Sequence, residues 1–156
     1  MLVGDLRYGR TAHSLSHALA RFNVNLTLVS PEALKMPKEI VDDLLSLGCN
    51  VNETDKLYEN IKDSDVIYMT RIQKERFPDE DEYAKVSGIY KISESNLVGS
   101  KENMINMHPL PRVRQIHPSV DSTKYARYFQ QAFNGIPTRM ALLCKSLGID
   151  IEKEVS

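Results

Sequence analysis

Charge of one sign is what the chain most clearly lacks. Twenty Lys and Arg stand against 21 Asp and Glu, a net charge of −1. No bulk field therefore points to nucleic acid or an anionic membrane as partner. Only two cysteines occur, Cys49 and Cys144, far apart and in neither metal nor redox spacing; reduced, packed thiols in a cytoplasmic protein are the expectation. No apolar run approaches the roughly 20 residues of a membrane span, and no charged-then-apolar leader resembles a signal peptide. The glycines never adopt the G-x-G-x-x-G spacing of a dinucleotide fingerprint. His13 and His17 have the i, i+4 spacing of a zinc helix, but Ser14 stands where the glutamate of H-E-x-x-H belongs, so no metal is expected. Repeats and low-complexity tracts are absent as well.

What remains is an ordinary globular composition, 42% hydrophobic and 26% charged over 156 residues. That length suits one domain burying roughly 68–70% of its unfolded surface. Short apolar runs read as strands: Leu2-Val3, Leu26 to Val29, a weak Cys49-Asn50-Val51, Val66 to Met69, Ile89 to Ile92, and Met104 to Met107. Between them, Leu15, Ala18, Leu19 and Phe22 share one helical face, and Ile40, Val41, Leu44, Leu45 and Leu47 another, with Gly48 suited to the C′ position. This alternation predicts a Rossmann-like three-layer α/β/α domain with a mainly parallel sheet. Two C-terminal helices are expected at 123–133 and 138–147, parted by Asn134-Gly135-Ile136-Pro137. The second is broadly apolar and calls for a covering partner. The first strand is so short that the chain reads as though cut from something longer.

Three loops carry the chemistry, each after a strand, at the sheet edge where open α/β folds bind ligands. In Met107-His108-Pro109-Leu110-Pro111-Arg112-Val113 two prolines stiffen the backbone and remove donors, leaving carbonyls held out. Gly4-Asp5-Leu6-Arg7-Tyr8-Gly9-Arg10-Thr11 brings Arg10 and Thr11 to a helix N-terminus that favours anions; Arg10 could equally pair with Asp5. Thr70-Arg71-Ile72-Gln73-Lys74-Glu75-Arg76 places Glu75 four residues after Arg71, able to orient its guanidinium, or is simply a solvated charge cluster. Two arginines plus a wall of carbonyls would suit a small amino dicarboxylate. Phe77-Pro78-Asp79-Glu80-Asp81-Glu82-Tyr83 is expected to be an exposed loop, and Tyr128, Phe129 and Phe133 to be core.

Together with Tyr128-Phe129-Gln130-Gln131-Ala132 and Asn134-Gly135, these three motifs resemble the aspartate carbamoyltransferases. The likeness runs from residue 2 to about 149 and is nearest the archaeal type, judged by Lys74 to Glu80. The ornithine enzymes fit worse, since their H-C-L-P would place cysteine at Pro109. Only the C-terminal, aspartate-binding domain is matched, as residues 1–149 with a tail at 150–156. The carbamoyl-phosphate domain with its S-x-R-T motif is absent from the chain.

The resemblance implies that Arg10, Thr11 and Arg71 hold L-aspartate, with Gln73 assisting and Glu75 behind Arg71. It implies that the carbonyls around Pro109 and Leu110 face the amine and carbamoyl groups. Leu110 and Pro111 would line the carbamoyl phosphate side through a cis bond. It implies no cofactor and no residue of this half acting as a catalytic group. The implied partners are L-aspartate and a carbamoyl-phosphate-binding domain or chain; a homo-oligomer is the further expectation, the family forming trimers whose contacts come in large part from the other half. Arg114-Gln115 replace an acidic pair usual in the family, which leaves Glu75 as the main orienting group for Arg71. The alternative is a non-catalytic amino-acid-binding or docking module.

Overall fold

In the computed structural model, residues 1–77 and 79–150 are described. Five strands form one sheet in the order β3-β2-β1-β4-β5: β1 Leu2–Val3, β2 Asn25–Val29, β3 Asn50–Thr54, β4 Val66–Met69 and β5 Ile105–Met107. Every pairing is parallel. The expected α/β architecture is therefore present. The strand order reverses between β1 and β4, the switch point at which such sheets open a crevice.

The period of two sorts the side chains into two cores. Leu2, Leu28 and Tyr68 point to one face, where Leu6, Ala12 and Met36 join them. Val3, Val29, Ile67 and Met69 point to the other, against Leu57, Ile61, Leu97 and Tyr128. Helices α1 (Arg10–Leu19) and α2 (Lys38–Ser46) cover the first face. The second is covered by α3 (Leu57–Asn60), a 3₁₀ turn at Glu94–Leu97 and the start of the last helix. The edge strand β3 is mostly exposed and polar, which is why its sequence signal is weak. α2 ends as Gly48 foretold: φ is +80°, Gly48 N–H donates to Leu45 O at 2.9 Å and Cys49 N–H to Leu44 O at 3.0 Å, a Schellman closure.

Several expectations need correction. Ile89 to Ile92 is no strand of the sheet; Tyr90 and Ile92 are buried, but the segment contributes only a bridge between Ile92 and Ile116. On α1 the buried residues are Ala12 and Ser16, while Phe22 lies beyond the helix, 69% exposed. The acidic segment is partly helical: α4 spans Glu80–Val86, with the Asp79 side chain accepting from Asp81 N–H.

The two expected C-terminal helices are one, α5, Tyr128–Ser146, with Pro137 inside it. Proline deletes one main-chain donor. Nearby, the Thr138 hydroxyl donates to Asn134 O at 2.7 Å and the Arg139 guanidinium to Gly135 O at 3.2 Å. The first turn expected at 123–127 is instead drawn onto β5, where Asn106 N–H donates to Tyr125 O and Arg127 N–H to Asn106 O. Tyr128 is fully buried, whereas Phe129 and Phe133 are exposed, with Ile136, Met140, Leu143 and Leu147 beyond them. The expected tail lies outside the described residues apart from Asp150.

At the switch point Gly4 has φ +116°, and a Cβ there would lie 2.5 Å from Thr70 O. Gly4→Ala should therefore cost about 2–4 kcal/mol, combining backbone strain with overpacking. Gly48→Ala, with nothing within 4 Å of the added carbon, should cost about 1–2 kcal/mol from its φ alone. Urea unfolding of the two variants measures the difference.

Candidate functional site at the carboxyl edge of the sheet

The loops after β1, β4 and β5 all leave the sheet on one edge, because all three strands run the same way. The first is organised by Asp5. Its carboxylate is buried and accepts from Tyr8 N–H at 2.8 Å, while Leu6 O receives the His13 ring at 2.8 Å. Burial pushes the Asp5 carboxyl above its ordinary range, against the pull of the Tyr8, Gln73 and Arg7 amides. Arg10 and Thr11 follow in the first turn of α1, both exposed. Among the described residues no ion pair holds Arg10, so the pairing with Asp5 is not made.

The second loop turns through a 3₁₀ segment at Lys74–Arg76. That turn brings the Glu75 carboxylate onto the Arg71 guanidinium, the arrangement expected from their spacing. The Glu75 backbone amide and the Arg71 charge together hold the Glu75 carboxyl below its usual range. Arg71 is two-thirds covered, so Glu75 limits where its remaining donors can point. The Gln73 side chain accepts from Arg76 Nε at 3.2 Å. Over this loop Phe77 stacks edge-on between Tyr8 and Tyr83, ring centroids 6.2 and 5.6 Å away. These rings, with Leu34, Ile72 and Val86, form a small apolar cluster that seats α4.

The third loop is held at both ends. His108 N–H donates to Gln131 Oε1 of α5 at 3.0 Å. Arg112 forms a two-pronged pair with Asp121, whose Oδ1 also accepts from the Tyr128 hydroxyl. The Arg112 guanidinium lies over the Tyr128 and Phe129 rings at 5.4 and 5.6 Å. Arg112 follows the loop's carbonyls in sequence, but both its prongs are committed to Asp121. Nothing in the local sequence marks Asp121, nine residues downstream. Burial pushes the Asp121 carboxyl up, but the Arg112 and Tyr128 hydrogen bonds outweigh it and hold the carboxyl below its ordinary value. Between the anchors the Leu110–Pro111 bond is cis and Leu110 has φ +55°.

A cleft of about 250 Å³ opens between these loops, lined by Gly4, Thr70, Arg71, Tyr83, Tyr90 and Arg114 among others. Of the expected binding residues it gathers Arg71 alone. Arg10, Thr11, Gln73 and Pro109 to Pro111 stand outside its lining. Tyr83, Tyr90 and Ser87 were missed, being sequentially distant and carrying no motif of their own. Lys74 also faces the cleft but pairs with Glu80 at 2.6 Å. Gln115 turns back on its own loop, its Oε1 accepting from the Val113 and Arg114 amides at 3.0 and 3.1 Å. The cleft therefore offers an oriented cation next to an exposed one, a receptor for a small anion.

A doubly wound α/β domain with an oriented arginine at its switch point defines the class as a small-ligand-binding domain. The family model for the aspartate/ornithine carbamoyltransferase Asp/Orn binding domain matches residues 1–145, and the chain belongs to that family. The aspartate carbamoyltransferase catalytic subunit of Methanocella arvoryzae is 55% identical over 150 residues, 96% of this chain and 49% of that protein. That of Thermococcus kodakarensis is 57% identical over 148 residues, 95% of this chain and 48% of its own. Among solved structures, the catalytic subunit of M. jannaschii aspartate transcarbamoylase superposes with a TM-score of 0.84 at 51% identity, covering 92% of this chain and 48% of that one. Aspartate transcarbamoylase from Trypanosoma cruzi, in complex with carbamoyl phosphate and aspartate, gives 0.82 at 38% identity, covering 91% of this chain and 48% of that one. The chain thus spans about half the length of the curated relatives it matches.

Asp121→Asn should lower stability by about 2 kcal/mol, since it weakens charge-assisted bonds to a guanidinium. The Asp121 pKa is depressed in the fold, so its contribution is full above the ordinary carboxylate value and fades as pH falls through the lower folded one. Urea midpoints at neutral and strongly acidic pH should converge for wild type and variant at the acidic end.

Proposed function

We propose that this chain is the aspartate-binding half of an aspartate carbamoyltransferase, working with a carbamoyl-phosphate-binding half supplied outside residues 1–149. The observation that carries this reading is the Glu75-oriented Arg71 at the mouth of the switch-point cleft. Arg71 takes one carboxylate of L-aspartate. Arg10 and Thr11, at the start of α1 on the same edge, take the other, with Gln73 assisting once released from Arg76. The carbonyls of Pro109 and Leu110 accept from the attacking amine and the carbamoyl NH₂. Leu110 and Pro111 face the carbamoyl phosphate side.

The reaction is attack of the aspartate amine on the carbamoyl carbon. A C–N bond forms, the C–O bond to phosphate breaks, the nitrogen loses its proton, and N-carbamoyl-L-aspartate and phosphate leave. This half contributes orientation of the nucleophile and fixed dipoles near the reacting carbon. It contributes no covalent intermediate, and turnover by the chain alone is negligible. The exposed apolar side chains of α5, among them Phe133, Ile136, Met140 and Leu143, are the surface on which the carbamoyl-phosphate half packs. A cytoplasmic setting for pyrimidine synthesis follows from the same reading. No helix among the described residues is long and apolar enough to cross a membrane.

An ¹H–¹⁵N titration of the chain with L-aspartate, with L-ornithine as control, tests the site. Shifts should concentrate near Arg10, Arg71 and residues 108–112 with aspartate only. Glu75→Gln should weaken the response about tenfold, because Arg71 loses its charge-assisted partner. Equal responses to the two amino acids, or an unchanged affinity in Glu75→Gln, would refute this assignment.

A further inference from the structure

The segment Pro109–Pro111 contains one backbone N–H, that of Leu110, because proline has none. That N–H does not face the ligand edge. It donates to Nδ1 of His108 at 2.8 Å. Among the described residues no N–H donates to the carbonyl of Pro109 or of Leu110. The sole local donor is thus turned inward and the two carbonyls are left free for other donors. Leu110 is also the one non-glycine residue with positive φ among the described residues, a conformation leucine does not hold without outside help.

The imidazole that supplies this help is itself fixed. His108 is 1% exposed, its backbone N–H is taken by Gln131, and its Nε2 is buried without a hydrogen-bond partner. With Nδ1 accepting, the single ring proton of the neutral form sits on Nε2. A second proton would have to occupy Nδ1, where it would confront the Leu110 N–H. The charges acting on the ring are both positive, Arg112 from its own loop and Arg71 from the end of β4. Burial first, then these two guanidinium groups, push its pKa down to about 4. Arg71 therefore bears on the same loop from the aspartate side.

We infer that His108 is a positioning residue: its neutral imidazole, through Nδ1, pins the Leu110 amide and thereby aims the Pro109 and Leu110 carbonyls at the ligand edge. The functional part rests on the reading above, in which those carbonyls meet the reacting nitrogens. The positioning itself does not, and it can be measured on the chain as it stands. The role asks only for an acceptor at the Nδ1 position. Asparagine presents its Oδ1 there at the same number of bonds from the backbone, and leucine presents no acceptor at all.

Imidazole ¹⁵N shifts of the unmodified chain should show His108 Nδ1 unprotonated and Nε2 protonated, with no titration between about pH 5.5 and 7.5. In hydrogen exchange, His108→Asn should keep Leu110 N–H protection within about threefold, whereas His108→Leu should lose about a hundredfold at Leu110 while the β4 and β5 amides hold theirs. A proton on Nδ1 in the unmodified chain overturns the inference, and so does equal Leu110 protection in the Asn and Leu variants. The tautomer measurement decides it even if a variant fails to fold. A chain that passes both tests yet ignores L-aspartate would count against the proposed function and leave the positioning role intact.

Discussion

Everything at the ligand edge depends on how closely β1 and β4 run where they part. Thr70 N–H and hydroxyl both donate to Val3 O, at 2.8 and 2.9 Å, and Gly4 N–H donates to Val29 O at 3.0 Å. These bonds extend the parallel ladder one residue past Val3 and bring the two loops together before they diverge. Only glycine fits in that gap. Because β1 is central, the direction in which the Asp5 loop and the Arg71 loop leave the sheet is set by this contact. The cleft is the wedge between them.

Around that wedge three loops are stiffened by different physics. Asp5 is buried and draws the amides of Tyr8 and Arg7 from its own loop and of Gln73 from the next. Glu75 fixes Arg71 from within one helical turn, a local device. The proline loop has few donors of its own and borrows its rigidity from α5, through Gln131 and the stacked Tyr128, and from Asp121 at the end of the 3₁₀ segment before that helix. The long last helix therefore does two jobs. Its first turns close the core and brace the site, and its remainder carries apolar side chains outward.

Sequence reasoning reached what short-range chemistry encodes. The parallel sheet, the three loops on one edge, the Arg71–Glu75 contact and the Gly48 cap all follow from spacing or from single-residue properties. It failed where distant packing decides. Tyr90 and Ile92 are apolar because they plug the core from a loop, and an apolar run cannot distinguish that from a strand. Phe22 continues the helical period of α1 on paper, but the helix starts at Arg10 and ends before it. Pro137 reads as a break because its neighbours Asn134 and Gly135 are weak helix formers, yet the helix absorbs it at the loss of one donor. Asp121 and Tyr83 could not be found at all, since their partners lie on other elements. Arg10 and Thr11 show the opposite case: the motif is plain in the sequence, while the cleft of this domain gathers Arg71 without them.

The shortness of β1 has a consequence for how the domain comes together. Its two residues are paired to Leu28 and Val29 on one side and to Tyr68 and Met69 on the other. β2 with β3, and β4 with β5, each make ladders over nearer stretches of chain, whereas the pairing of β1 to β4 must wait for a long loop to close. Two half-sheets are thus joined along a seam two residues wide. The ligand cleft lies at the carboxyl end of that seam, with Gly4 and Thr70 in its wall, so the site exists only while β1 and β4 are paired.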